Sequence, residues 1–266
     1  MTIAKTVKIE VDTAIAMSRS VVYKGLSRTF LYPEKEFISS LQDGGFIREL
    51  RESVSLLNQL NFNGGESLDK PLEELEKTIE QMHPFSVEDL QSEFIDIFGH
   101  TVPKEYPQYE TQYGRAHIFQ QSHELADIAG FYKAFDLEIA DNASERLDHI
   151  SIELEYMYFL TYKEAYAREN HGAEKVKICV DAQKKFMEEH LGKWAFHYAK
   201  LFKRKIKKGF YRASTDFMEA LLASDMTWLG LEMTKLGKTK LTPYPASADE
   251  EACTSCSMEG DRQFSG

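Results

Sequence analysis

The chain has 266 residues, of which 42% are hydrophobic, so it can bury one sizeable core or two small ones. Its formal net charge of −11 disfavours nucleic acid and anionic membranes as partners, because both repel an acidic surface. Its three cysteines are too few for a disulfide framework, and we expect a reducing, cytoplasmic compartment without a signal peptide.

Apolar residues recur at helical spacing along most of the chain. The first helix is predicted over 12–31, with Asp12 or Thr13 as its cap and with Ile15, Val22, Leu26 and Phe30 on one face. Pro33 is expected to open a second helix. Further helices are predicted over 45–60, 67–82, 86–98, from near residue 115, and over 145–169, 174–208 (interrupted near Gly192) and 213–236.

Turn residues predict where these helices begin and end. Ser86 with Asp89 resembles a capping box, Gly99 is expected to end that helix, and Asn142 with Glu145 is a second predicted cap. The apolar stretch 217–233 carries acidic residues, among them Glu219 and Asp225, and is short for a membrane span, so we expect a buried helix.

Only residues 7–11 alternate as a strand would, and one strand without a partner cannot form a sheet. The last thirty residues are rich in Thr, Ser, Pro and Glu, which is typical of disorder. The sequence therefore predicts an all-α fold: a single-domain bundle of about nine or ten helices over 1–236, followed by a flexible, cysteine-containing tail over 237–266.

The predicted helix over 145–169 has the most informative pattern. Its apolar stripe consists of Leu147, Ile150, Leu154 and Met157. His149 and Glu153 are one turn apart on one flank, and Asp148 and Glu155 lie on the other. We therefore expect a half-exposed helix with acidic groups along an apolar seam.

The same helix allows a second interpretation, a helical metal-binding enzyme. His149/Glu153 and His123/Asp127 share a four-residue spacing and could hold a cation together. However, Asp127 stands where the zinc-helix motif has its second histidine, and the two Glu-x-x-His pairs of a di-iron bundle are missing.

Other motifs give little support to catalysis or to a bound cofactor. Cys253 and Cys256 supply only two of the four ligands of a structural zinc site. The basic run 203–208 is predicted to be a solvated helix end, with nucleic-acid binding as its alternative. Neither a nucleophile motif nor a glycine-rich loop is found. We expect no catalytic residue, cofactor or metal, and a general helical scaffold stays an alternative.

Three segments occur in a recognisable order. The first is residues 94–99 (Phe-Ile-Asp-Ile-Phe-Gly) with 106–113 (Tyr-Pro-Gln-Tyr-Glu-Thr-Gln-Tyr); the second is 145–157; the third is 186–191 (Phe-Met-Glu-Glu-His-Leu) with Trp194 and Phe202. Together they resemble the TorD/DmsD/NarJ family of redox-enzyme maturation chaperones. Leu147, Gln108 and Thr111 depart from the Pro, Pro and Ser that are usual in that family.

The resemblance implies an all-helical, cytoplasmic, non-catalytic chaperone, monomeric or homodimeric. It would bind the apo form of a molybdopterin-dependent catalytic subunit of the DMSO-reductase type, together with its twin-arginine leader, and delay export until the cofactor is inserted. Nucleic-acid binding and stable membrane insertion are not expected.

Site residues are carried over from the family's motifs as follows. Ile97, Phe98 and Gly99 would line a groove for the leader. Tyr109, Glu110 and Tyr113 would shape the loop beside it. Asp148 and His149 would contact the leader, with Glu153 and Glu155 as acidic support. Because Asp148 and His149 flank the apolar stripe, alanine at either position is expected to weaken client binding without lowering stability.

Overall fold

The computed structural model describes residues 2–62, 67–99, 103, 105–113, 118–140 and 143–232. Within these ranges the chain forms ten α-helices and one 3-10 turn, Glu110–Gln112. The helices are α1 (Thr2–Thr29), α2 (Lys35–Gln42), α3 (Gly45–Gln59), α4 (Asp69–Met82), α5 (Val87–Phe98), α6 (Ile118–Lys133), α7 (Ile150–Asn170), α8 (Ala173–Glu189), α9 (Leu191–Lys205) and α10 (Phe210–Trp228). The all-α prediction is confirmed for these residues. Residues 237–266, the predicted tail, lie outside them.

The N-terminal helix is longer than its apolar pattern predicts. α1 begins at Thr2, so the alternating segment 7–11 is helical. The Thr13 hydroxyl donates to the carbonyl of Ile9 (2.8 Å) inside this helix, so the prediction of a cap at Asp12 or Thr13 is wrong. The predicted apolar face is confirmed, since its four residues are all buried.

Two long helices form the centre of the fold. α1 packs along α7, α3 covers another side of α1, and α8 joins α7 to α9. α10 packs against α4 and α9, and its residues Phe217, Met218, Leu221, Leu222 and Met226 are fully buried, as predicted for this part of the stretch 217–233. No helix in the described part of the chain is both long and apolar enough to cross a membrane.

A charged cluster lies inside this apolar core. Arg19 of α1 is fully buried, and its Nε is 2.6 Å from Asp225 Oδ1 of α10. Its Nη1 lies 3.2 Å from Glu164 Oε2 of α7. Burial opposes the charged guanidinium, but the Asp225 and Glu164 carboxylates outweigh it and raise the pKa of Arg19. The ion pairs of Arg19 therefore link α1 to α7 and to α10.

Helix ends follow the local signals in most places. Ser86 and Asp89 form a capping box, and Gly99 ends α5 with a φ of 71°. α2 begins at Lys35 with Glu34 as its N-cap, two residues later than the helix start expected at Pro33. Predicted cap residue Asn142 lies outside the described residues.

The predicted helix 174–208 is two helices. The break is at His190, with φ −128° and ψ −100°, and Gly192 belongs to the first turn of α9. A Cβ at Gly192 would lie 2.5 Å from the Met187 carbonyl oxygen, so only glycine permits this close approach. The break turns the ring of His190 into the interior, where it is 3% exposed.

Candidate functional site

The loop over 105–113 is fastened to the start of α7 by backbone hydrogen bonds. Glu110 N donates to the carbonyl of Asp148 (2.9 Å), and Ile150 N donates to the carbonyl of Gln108 (2.9 Å). They flank an isolated antiparallel bridge between Tyr109 and His149. Residues 146–149 form a turn, in which His149 N donates to the carbonyl of Arg146 (3.0 Å), and His149 itself is extended. α7 therefore begins five residues later than the sequence predicts.

The Asp148 side chain stabilises the junction, the contact between the loop 105–113 and residues 145–150 at the start of α7. Its Oδ2 accepts hydrogen bonds from the Thr111 amide (3.2 Å) and the Thr111 hydroxyl (2.7 Å). The guanidinium of Arg146 donates to both carboxylate oxygens, at 3.0 and 2.7 Å. Asp148 is fully buried, so these donors replace the water that its carboxylate loses.

His149 is the N-cap of α7. Its Nδ1 accepts from the Ser151 amide (3.3 Å), and its ring lies 4.9 Å from the ring of Tyr109. The Tyr109 hydroxyl donates to Glu145 (2.5 Å), and the Arg146 guanidinium lies over the Tyr109 ring. Burial lowers the pKa of His149 to about 3, because it disfavours the imidazolium form. The imidazole is neutral at neutral pH and serves as a hydrogen-bond acceptor.

Two carboxyl groups lie on the inner side of the same junction. Glu153 Oε2 accepts from the indole of Trp194 (2.9 Å), and Glu110 lies 3.1 Å from Nδ1 of His190. Burial, and next the nearby Glu110 carboxylate, raise the pKa of Glu153 well above its ordinary value. This side chain favours its protonated form and is part of the interior.

The prediction that Asp148, His149 and Glu153 lie on half-exposed helix flanks is therefore wrong. Asp148 and His149 precede the helix, so its periodicity does not set their direction, and all three are almost fully buried. Glu110 and Tyr113 are buried as well. Glu155 is the predicted acidic residue that does face solvent. The structure brings Tyr109, Glu110, Tyr113, Asp148, His149 and Glu153 together, and places Glu155 outside that group.

The remaining predicted residues lie at the other end of the loop. Phe98 is buried, with its ring 5.9 Å from that of Phe202 and 5.2 Å from that of Tyr211. The carbonyl of Ile97 accepts from the Tyr106 hydroxyl (2.8 Å), which fixes the loop to the end of α5. Ile97 is partly buried and Gly99 exposed. Ile97 therefore holds the loop to the end of α5, and Phe98 packs in the core beside it.

An open apolar groove of about 330 Å³ does lie beside α7. Two exposed carboxylates line it, Glu155 of α7 and Glu138 of the segment after α6. Its apolar lining is Tyr132, Leu137, Ile139, Ile152, Tyr156, Tyr158 and Phe159. Sequence reasoning missed this groove, although Leu137 and Ile139 flank Glu138 in an alternating pattern that signals an extended segment.

Exposed aromatic rings continue from the groove along α7. Tyr158 lines the groove, and Tyr162 and Tyr166 follow at four-residue spacing, 43% and 46% exposed. Residues four apart lie on the same helix face, so the groove extends into an aromatic row. An elongated apolar chain could lie along it.

The predicted metal site, in which His149/Glu153 and His123/Asp127 share one cation, is wrong. His149 accepts from Ser151 and Glu153 accepts from Trp194, while His123 is exposed on α6. Among the described residues, Asp127 instead groups with Glu189 and His190.

The basic run ends a helix, as predicted, since α9 ends at Lys205. Lys203 forms ion pairs with Asp216 and Glu219 of α10. Basic side chains of α9 also line a groove of about 480 Å³ against α10, together with Phe196 and Met226.

The buried His149 predicts a pH dependence of stability. The pKa of the imidazole is about 6.5 in the unfolded chain and about 3 in the folded protein. Between these values the unfolded chain binds one more proton, so stability rises with pH and is lost as pH falls. In this range His149 makes the free energy of unfolding rise by up to about 1.4 kcal/mol per pH unit, and we expect His149→Gln to abolish that contribution.

The measurement is urea unfolding of both proteins from about pH 7 to about pH 5. Glu153 has the opposite sign, because its raised pKa removes stability as pH rises, but it is present in both proteins and cancels in their difference. A wild-type-minus-variant difference that does not change with pH would show that His149 titrates normally.

Comparison with known proteins places the junction inside a matched region. Residues 65–200, about half of the chain, match the family model described as nitrate reductase delta subunit. The perchlorate reductase assembly chaperone protein of Dechloromonas aromatica (strain RCB) is 24% identical over 230 residues, which cover 84% of this chain and 94% of that protein. The matched family region contains the loop, α7 and the His190 break.

Proposed function

This chain belongs to the nitrate reductase delta subunit family, which comprises the NarJ/TorD-type chaperones, and on this premise we propose a specific client. The client is the apo catalytic subunit of a molybdopterin-dependent redox enzyme, bound through its twin-arginine leader before cofactor insertion and export. The chain acts by binding, without catalytic chemistry, in the compartment where the leader is still attached. The relative is by its name an assembly chaperone of perchlorate reductase, which supports a redox enzyme as the client.

The observation that carries the proposal is the apolar groove lined by two exposed carboxylates. A twin-arginine leader has a basic segment followed by an apolar one. Glu138 and Glu155 can each pair with a guanidinium, for which a carboxylate is the best-matched acceptor. The apolar lining and the row from Tyr158 to Tyr166 match the segment that follows. The net charge of −11 adds long-range attraction for a basic leader.

In this proposal the buried residues of the junction do not contact the leader but hold the groove lining in position. Asp148 and His149 fix the start of α7, from which Ile152 and Glu155 project into the groove. The hydroxyl of Tyr132, another lining residue, donates to the carbonyl of Leu147 (2.8 Å), which ties the α6 part of the lining to the same segment. Glu155 is then the predicted acidic residue that meets the leader directly.

Leader binding is tested with fluorescently labelled leader peptides of molybdopterin-dependent subunits from the same genome. We expect Glu138→Gln/Glu155→Gln to weaken binding about tenfold, since each partly exposed ion pair contributes up to about 1 kcal/mol. Both carboxylates are exposed, so the melting temperature should stay unchanged. Fluorescence anisotropy gives the affinity and circular dichroism the melting temperature.

Two controls make the result specific. Glu169→Gln removes an equally exposed carboxylate from the far end of α7, about 21 Å along the helix from Glu155, and should bind normally. A peptide with both arginines changed to lysine should bind less tightly, because lysine lacks the bidentate fork. Equal affinity for both peptides, unaffected by the double substitution, would favour a general helical scaffold.

A further inference from the structure

Three potential metal ligands converge where α6 meets the break between α8 and α9. Asp127 lies on α6, Glu189 is the last residue of α8, and His190 is the break itself. One ligand atom from each lies within 4.8 Å of the other two. Exposed acidic residues often cluster without binding a cation, so the case depends on the histidine.

His190 is held as a metal-ligating histidine usually is. Its ring is 3% exposed and is fixed by the rings of Phe131 (4.8 Å) and Phe186 (5.3 Å). Nδ1 lies 3.1 Å from the Glu110 carboxylate, so the proton belongs on that nitrogen. A carboxylate that accepts a hydrogen bond from Nδ1–H is the ordinary support of a zinc-bound imidazole.

The other ring nitrogen is available for a ligand. Nε2 of His190 is buried and has no hydrogen-bond partner among the residues that the structure describes. It faces Asp127, whose Oδ2 is 3.7 Å away. A buried nitrogen with a lone pair and without a donor is costly unless something binds it.

We propose that His190 Nε2, Asp127 and Glu189 bind one divalent transition-metal ion, with Zn²⁺ as the reference ion and water completing its coordination. A nitrogen ligand with two carboxylates suits Zn²⁺ and its neighbours better than Ca²⁺ or Mg²⁺, which prefer oxygen alone. The two carboxylates are about half exposed, so their side chains can close to ligand distances of about 2.0–2.2 Å.

The ion would join parts of the fold that are distant in sequence. It would link α6 to the α8–α9 break and, through Glu110, to the loop beside α7. The site is separate from the leader groove, because none of its three ligands lines that groove. Failure of either proposal therefore leaves the other standing.

The test is calorimetric titration of the full chain with Zn²⁺ and absorption spectroscopy with Co²⁺. The background is Cys253→Ser/Cys256→Ser, which removes the thiol pair that could bind either ion independently. We expect one ion per chain and a Co²⁺ spectrum without thiolate charge-transfer bands. Asp127→Asn/Glu189→Gln should abolish this binding, and Glu188→Gln, an exposed neighbour on α8, should leave it unchanged.

Glu110→Gln tests the supporting carboxylate. It should weaken Zn²⁺ binding by about 10- to 100-fold, the usual effect of losing an outer partner of a ligating histidine. Circular dichroism confirms that each variant is folded. Absence of saturable binding, or equally tight binding by Asp127→Asn/Glu189→Gln, would overturn the proposal.

Discussion

Replacing Asp225 with alanine is expected to lower the free energy of unfolding by about 3–5 kcal/mol, because it leaves the buried Arg19 charge without its main partner. The Asp225 carboxylate lies 2.6 Å from Nε and 2.9 Å from Nη2 of Arg19, and it also accepts from the Tyr23 hydroxyl (2.5 Å). Both Arg19 and Asp225 are fully buried. Urea unfolding followed by circular dichroism measures the change.

The rest of the cluster cannot replace Asp225. Glu164 Oε2 lies 3.2 Å from Arg19 and also accepts from Gln183, while its Oε1 is bonded to Arg168. Its charge is therefore already shared between two guanidinium groups. Gln183 Oε1 accepts from Arg19 (2.7 Å) but carries no charge.

A matched control separates burial from charge. Asp216 also lies on α10 and pairs with Arg212 (2.8 Å) and Lys203 (3.4 Å), but its side chain is 38% exposed. Asp216→Ala should cost no more than about 1 kcal/mol, as exposed pairs do. If both substitutions had equal effects, the buried cluster would not be a principal source of stability.

The sequence predicts the helices better than it predicts this cluster. Ile15, Val22 and Leu26 repeat at helical spacing, so local pattern alone identifies the buried face of α1. Arg19 lies among them but looks like any charged residue, since its partners are 145 and 206 positions away. Composition and spacing carry no information about such distant pairs.

The junction at α7 shows a related limit. Leu147 continues the spacing of Ile150 and Leu154, so the periodic pattern extends the helix to 145. The helix instead begins at Ile150, because the Asp148 carbonyl and the Ile150 amide form hydrogen bonds with the backbone of residues 110 and 108, some forty positions earlier. The family motif locates the right residues, but their burial depends on contacts that no local window contains.

Asp148→Ala is accordingly expected to destabilise the fold, contrary to the sequence-based expectation of unchanged stability. We expect a loss of about 2–4 kcal/mol, because the Thr111 amide and hydroxyl lose a charged acceptor inside the protein. Arg146 is 49% exposed, so its ion pair contributes the smaller share. Urea unfolding gives the total loss.

Hydrogen exchange locates the loss within the molecule. Protection should fall first at the Glu110 and Ile150 amides, which fasten the loop to α7, and only later at the amides of α1. Glu155→Ala is the matched control, since it removes an exposed carboxylate from the same helix and should leave both stability and exchange unchanged.

Leader binding by Asp148→Ala separates two roles of Asp148. A variant with the stability of the wild type but weak leader binding would mean that Asp148 contacts the client directly, which requires the loop to open on binding. A protein that loses stability and leader affinity together would mean that Asp148 acts by holding the groove wall in place.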